Sequence, residues 1–67
     1  MTVFENNVKS VMKSKGLKHK YVAEKIGVSE KLFSAMLNGR KAIKVSDVLL
    51  LCEVLEATPN QLFGYDE

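Results

Sequence analysis

The chain holds one histidine, His19, and one cysteine, Cys52, the residue types most often used as metal ligands and nucleophiles. The two residues stand far apart in the sequence, and neither has a neighbouring pattern that would supply further metal ligands or an orienting third group. The sequence also lacks a glycine-rich phosphate-binding loop. It therefore predicts a protein that is not an enzyme, with no metal or other cofactor and no small-molecule ligand.

Phosphate binding is the chemistry for which the chain is best supplied. All ten Lys and Arg residues lie within the first 44 positions, which hold only three acids, Glu5, Glu24 and Glu30. From Val45 onward there are five acids and no Lys or Arg. Because Lys and Arg neutralise phosphates, this uneven layout favours a protein with one side that faces DNA. The alternative is a solvated surface whose asymmetry arose by chance.

Length and composition limit the fold class. The 67 residues suffice for one domain with a single small core, spanning residues 1–67. One proline, no tryptophan and no alternating apolar pattern with hairpin turns predict an all-α protein. The longest apolar run, residues 48–52, is far too short to cross a membrane, and the single cysteine fits a reducing compartment. We therefore expect a cytoplasmic protein without a membrane partner.

Apolar residues at helical spacing predict a compact bundle of five short helices. The helices cover about residues 3–15, 18 or 19 to 26, 30 to 37 or 38, 45–55 and 59–63. Ser29 and Thr58 are the expected N-caps of the third and fifth helices. Gly16 and Gly64 follow the first and fifth helices as C-terminal stops.

The second and third predicted helices carry the pattern of a helix-turn-helix. Ala23 and Ile26 share one face of the second helix, and Phe33 and Met36 share one face of the third. The small Ala23 lets the two helices cross closely, and Gly27 tolerates the left-handed backbone that a sharp turn requires. This pattern predicts a motif that presents its second helix to the major groove of DNA.

Several stretches within and beyond the predicted helix-turn-helix resemble those of a known family. They are Gly16-Leu17, Val22-Ala23, Ile26-Gly27-Val28-Ser29, Phe33, Met36, Asn38-Gly39-Arg40-Lys41, Leu55 and Thr58-Pro59-Asn60-Gln61-Leu62-Phe63-Gly64. In these stretches the chain resembles the phage-repressor helix-turn-helix group, also called the Cro-like or xenobiotic-response-element family. The resemblance implies a lambda-repressor-like DNA-binding fold. It further implies a phage or prokaryotic transcriptional regulator, more often a repressor than an activator, that binds double-stranded DNA with a two-fold operator as a homodimer.

The resemblance also implies which residues read the bases. By matching positions, the groove-facing set comprises Ser29, Glu30, Lys31, Ser34 and Ala35. Lys31 is the expected donor to guanine O6 and N7, and Ala35 is placed to rest against a thymine methyl group. For Glu30 two roles stay open, because a carboxylate accepts from cytosine N4 but also stabilises the first turn of a helix.

Positions that match the family's phosphate contacts lie on either side of this set. They are Lys18, His19, Asn38, Arg40, Lys41 and Lys44. His19 stands where the family commonly has Gln, so its imidazole either donates to a phosphate, more strongly when protonated, or is exposed without such a role.

Three positions depart from the family pattern in ways that affect stability. Lys18 and Lys44 replace the usual small hydroxyl caps, so the second and fourth helices are expected to begin less firmly, by up to about 1 kcal/mol each. Glu56 stands where the family often has Gly, and a left-handed conformation there would cost roughly 1 kcal/mol.

Self-association is expected through the acidic C-terminal half. The candidates for the dimer interface are Leu50, Leu62, Phe63 and Tyr65. A rival hypothesis keeps the fold without DNA binding, as a protein-interaction module such as an antirepressor or a partner-binding subunit. Glu30 and Leu32 on the third helix favour this rival slightly, whereas Lys31 and the basic half favour DNA.

Overall fold

A computed structural model describes residues 3–65 and folds them into five α-helices. They are α1 Val3–Lys15, α2 His19–Ile26, α3 Glu30–Leu37, α4 Val45–Leu55 and α5 Pro59–Phe63. No strand occurs in this part of the chain, so the all-α prediction is confirmed, and the helix bounds agree with those expected from the sequence. The acids Asp66 and Glu67, which contribute to the charge asymmetry, lie outside the described residues.

Each of these helices ends in the same backbone arrangement. A residue with positive φ follows the helix, and the next backbone N–H donates to a carbonyl five residues earlier, as from Val28 to Ala23 at 3.0 Å. Four of the positive-φ residues are glycines, and the fifth is Glu56, with φ 53° at the end of α4. Glu56 therefore adopts the left-handed conformation, which is strained for a residue other than glycine. Such closed ends satisfy carbonyl groups that would otherwise lack partners.

The helix starts are less uniform. The Ser29 hydroxyl accepts from the Leu32 N–H at 3.0 Å, and Thr58 and Gln61 exchange two such bonds at the start of α5. The Lys18 side chain makes no capping bond, as expected. At the start of α4 the Asp47 carboxylate accepts from the Lys44 backbone N–H at 3.0 Å. This bond satisfies one N–H and offsets part of the weakness expected there.

The core lies where α1, α2 and α3 meet α4 and α5. Helix α1 packs against α3 and α5, and α2 packs against α3 and α4. Phe33 of α3 is completely buried at the centre. The buried apolar residues between positions 3 and 65 are Phe4, Val8, Met12, Val22, Ala23, Ile26, Phe33, Met36, Leu37, Leu51, Leu55 and Leu62.

Leu62 belongs to this core and not to the surface. Its side chain is 0% exposed, so it packs within its own chain and offers nothing to a second copy. This corrects its expected place in the dimer interface. The physical reason is that α5 is a short helix of five residues and buries Leu62 as its single core anchor.

Two polar side chains of α1 tie the C-terminal helices in place. The Asn7 amide donates to the Leu62 carbonyl at 3.0 Å, and the Lys15 ammonium group donates to the Leu55 carbonyl. Both acceptors lie at the C-terminal end of a helix, where carbonyls lack helical partners and a positive charge is favourable. These bonds fix α1 against α4 and α5, which in turn support α2 and α3.

Substitution of Gly27 tests the turn between α2 and α3. Gly27 has φ 80°, and a Cβ atom there would meet no heavy atom within 4 Å, so the cost of a side chain is conformational. Gly27→Ala should lower the free energy of unfolding by about 1–2 kcal/mol, and Gly27→Val by more because β-branched residues resist positive φ. Gly27→Asn is the control, with a smaller loss. A Gly27→Val variant that melts near the wild-type temperature would show that residue 27 does not need a positive φ in this turn.

Substitution of Glu56 by glycine should change the free energy of unfolding in the opposite direction. Glu56→Gly relieves the left-handed conformation and is expected to raise the free energy of unfolding by about 1 kcal/mol. Glu53→Gly places a glycine in the last turn of the same helix, where φ is negative, and should lower the free energy of unfolding by up to about 1 kcal/mol. Urea denaturation of both variants measures the difference, and two losses of equal size would argue against strain at Glu56.

Candidate nucleic-acid interface

Helix α3 buries one side and exposes the other. Phe33, Met36 and Leu37 lie in the core, which leaves Glu30 and Lys31 exposed on the first turn of the helix. The turn at Gly27 and the Ser29 cap determine where this helix begins. They therefore determine which residues form its first turn. An eight-residue helix is a rod about 12 Å long, held by its buried side against α1 and α2.

A shallow groove runs along the exposed side of α3. It is lined by Glu30, Lys31, Ser34, Ala35, Asn38 and Arg40. The structure thus brings together four of the five candidate base-reading residues and two of the candidate phosphate contacts. Ser29 is exposed but does not line this groove, and its hydroxyl already accepts the capping bond from Leu32.

The other candidate phosphate contacts lie outside this groove. Lys41 and Lys44 line a second depression, between α3 and the start of α4. Lys18 lines a third, at the start of α2. His19 is exposed, and the edge of its ring approaches Phe33 with 5.5 Å between centroids. No local pattern indicated this last contact, which joins the first residue of α2 to the buried Phe33 of α3.

The cationic groups of this surface lie near two acids, Glu30 and Asp47, without forming ion pairs with them. Lys31, Arg40, Lys41 and Lys44 are all exposed, and none forms an ion pair with a residue between positions 3 and 65. Their charge remains available to an anion. The surface can therefore bind an extended polyanion and present hydrogen-bonding groups from α3 to it.

Cys52 is a half-buried free cysteine of α4. Burial raises the pKa of the Cys52 thiol, which keeps it protonated and poorly nucleophilic at neutral pH. Among the described residues, no three His, Cys, Asp or Glu side chains cluster closely enough to hold a metal ion. In the same part of the chain, no helix has the length and apolar content to cross a membrane.

The candidates for self-association do not share one surface. Phe63 is 44% exposed, stacks on Phe4 with ring centroids 4.8 Å apart, and lines a groove with Val48. Leu50 lies two residues after Val48 in α4, which places it about 200° away around the helix. Phe63 and Tyr65 therefore lie apart from Leu50.

Sequence reasoning overlooked the exposed aliphatic residues of α4. Val45 is 78% exposed and Leu49 is 61% exposed. A signal was present, because residues 48–52 are all apolar and five successive helical residues cannot share one face. Tyr21 is exposed, with the Lys25 ammonium group 5.6 Å from its ring centroid.

A family model described as a helix-turn-helix domain matches residues 8–62, which is most of the chain. The match includes the whole of α2, α3 and α4 and the groove between positions 30 and 40. No curated protein and no solved structure matches the chain.

Proposed function

Because the chain belongs to the helix-turn-helix domain family, we propose that it is a sequence-specific DNA-binding regulator that inserts α3 into the major groove of a two-fold operator. Family membership indicates a DNA-binding regulator, of a kind that is typically not enzymatic. The observation that carries the finer proposal is the groove along α3, where Lys31, Ser34 and Ala35 face outward beside Arg40. Repression is the favoured outcome, as in the phage repressors that the sequence resembles.

The dimensions of α3 support this proposal. The major groove of B-DNA is about 12 Å wide and admits one α-helix. The exposed first turn of α3 would lead into it, with Lys31 reaching guanine O6 and N7. Ser34 and Ala35 follow on the same side, where a hydroxyl can bond a base edge and a methyl group can contact thymine.

The flanking cations would fix the register on the duplex. Arg40, Lys41 and Lys44 follow α3, while Lys18 and His19 begin α2, so the two groups contact phosphates on either side of the inserted helix. Asn38 supplies a neutral donor at the end of α3. The Lys18 side chain does not cap the N-terminal N–H groups of α2, so these groups could donate to a phosphate oxygen.

A homodimer would present two copies of α3 to successive major grooves. Phe63 and Tyr65 are exposed aromatic residues of the C-terminal end and are the proposed contact between copies. A two-fold axis through this contact would space the half-sites by about one helical turn, roughly 34–36 Å.

The rival interaction module loses one of its two supporting features. Leu32 is half-buried and packs against the core, so it does not offer an apolar anchor on the outer face of α3. Glu30 alone remains, and it lies in the groove beside Lys31 and Arg40.

Alanine variants separate base reading from phosphate contact. Lys31→Ala should weaken operator binding by about 1–3 kcal/mol and leave non-specific affinity almost unchanged, because it removes a base contact. Lys41→Ala should weaken both equally. Lys13→Ala, on the exposed part of α1, serves as the control. Fluorescence anisotropy with a selected operator and a random duplex measures these changes, and equal losses for Lys31→Ala on both duplexes would remove Lys31 from the base-reading set.

Salt dependence distinguishes the DNA-binding protein from the rival. If about five phosphates are neutralised, the association constant for random duplex should fall with roughly the fourth to fifth power of salt concentration. Titrations between low and moderate salt give this slope. A slope near zero, or no binding at low salt, would favour the interaction module.

A further inference from the structure

The groove on α3 is lined by two adjacent rows of side chains. Residues four positions apart lie above one another on a helix. Glu30, Ser34 and Asn38 therefore form one row, in which every side chain carries an oxygen that accepts hydrogen bonds. Lys31 and Ala35 form the second row, which carries a cationic donor and a methyl group. At the first turn of α3 an acceptor thus stands directly beside a donor.

Glu30 is the one acid among the described residues that line this groove. It is exposed, and its side chain forms no hydrogen bond or ion pair with a residue between positions 3 and 65. The N-cap bond of α3 is already made by Ser29, whose hydroxyl accepts from the Leu32 N–H. Phosphates repel a carboxylate that enters the major groove, unless a base donates a hydrogen bond to it. The position of Glu30 therefore calls for a donor on the DNA.

One kind of base pair matches an acceptor that stands beside a donor. In the major groove a G·C pair shows the O6 and N7 acceptors of guanine next to the N4 amino donor of cytosine. Adenine also offers a donor, N6, but its N7 acceptor lies beside that donor and would repel a carboxylate. The neighbour of cytosine N4 is only a C5–H group. A G·C pair is therefore the best partner for Lys31 together with Glu30.

We propose that Lys31 and Glu30 together recognise one G·C pair of the operator, with Lys31 at the guanine and Glu30 at the N4 amino group of the paired cytosine. This inference rests on the proposed insertion of α3 into the major groove, and it names the base pair that this function recognises. Glu30 is then a specificity-determining residue. It weakens binding to any duplex without cytosine at that place, because its carboxylate meets the phosphates there without a compensating bond.

A scan of the operator tests which base pair is recognised. Each position of an operator selected from a random DNA pool is changed to all four base pairs, and fluorescence anisotropy gives the Kd of each duplex. For the wild type, replacement of one G·C pair by T·A should weaken binding about tenfold or more. Glu30→Gln should bind that T·A duplex at least as tightly as the G·C duplex, because an amide bonds both N6 and N7 of adenine. Lys31→Ala should lose its preference at the same base pair.

Random duplex tests the repulsion between Glu30 and the phosphates. Glu30→Gln should bind random duplex about fivefold more tightly than the wild type at low salt, and the difference should shrink as salt rises. Glu53→Gln is the matched control, since it removes an exposed acid of α4 that does not line the groove. It should change the affinity for either duplex by less than about twofold. Denaturation curves verify that each variant is folded.

Two results would overturn this inference and leave the proposed function intact. The first is a Glu30→Gln variant that keeps the base preference of the wild type at every position, which would limit Glu30 to stabilising the first turn of α3. The second is a loss of preference in Lys31→Ala at a different base pair. A wild-type protein that selects no operator, or that binds random duplex without a salt slope, would instead overturn the proposed function and this inference with it.

Discussion

The close packing of α2 on α3 is the constraint on which the rest of the structure depends. Ala23 is buried where the helices approach, and Gly27 turns the chain with φ 80°. Phe33 then fills the space beneath α3 and is completely buried. Because interiors are close-packed, these residues allow only a narrow range of angles for α3. The exposed side of α3 is therefore presented as a rigid edge.

Helices α1, α4 and α5 hold α2 and α3 in place. The Asn7 and Lys15 side chains of α1 bond the final carbonyls of α5 and α4, and Leu62 anchors α5 in the core. A short chain has little core to spare, so such contacts between distant segments contribute a large share of its stability.

Most of the local structure was predictable from the sequence because its determinants lie within a few residues. Ser29 and Thr58 cap the helices that follow them, and glycines end four of the helices with positive φ. For Glu56 the sequence predicted only the cost of a left-handed conformation, and the structure shows that the residue adopts it. The grouping of Lys31, Ser34 and Ala35 on one side also follows from helical periodicity once the start of α3 is known.

The amino-acid sequence by itself determined where the helices begin and end and which residues share a side, since caps, stops and periodicity act over one or two turns. Only the tertiary structure decided which side meets which neighbour. It buried Leu62 and left Leu49 exposed, although both are leucines in apolar stretches. It also placed His19 against Phe33 and separated Leu50 from Phe63. These outcomes depend on how α1, α4 and α5 pack together, and such contacts join residues up to 55 positions apart, beyond the reach of any local pattern.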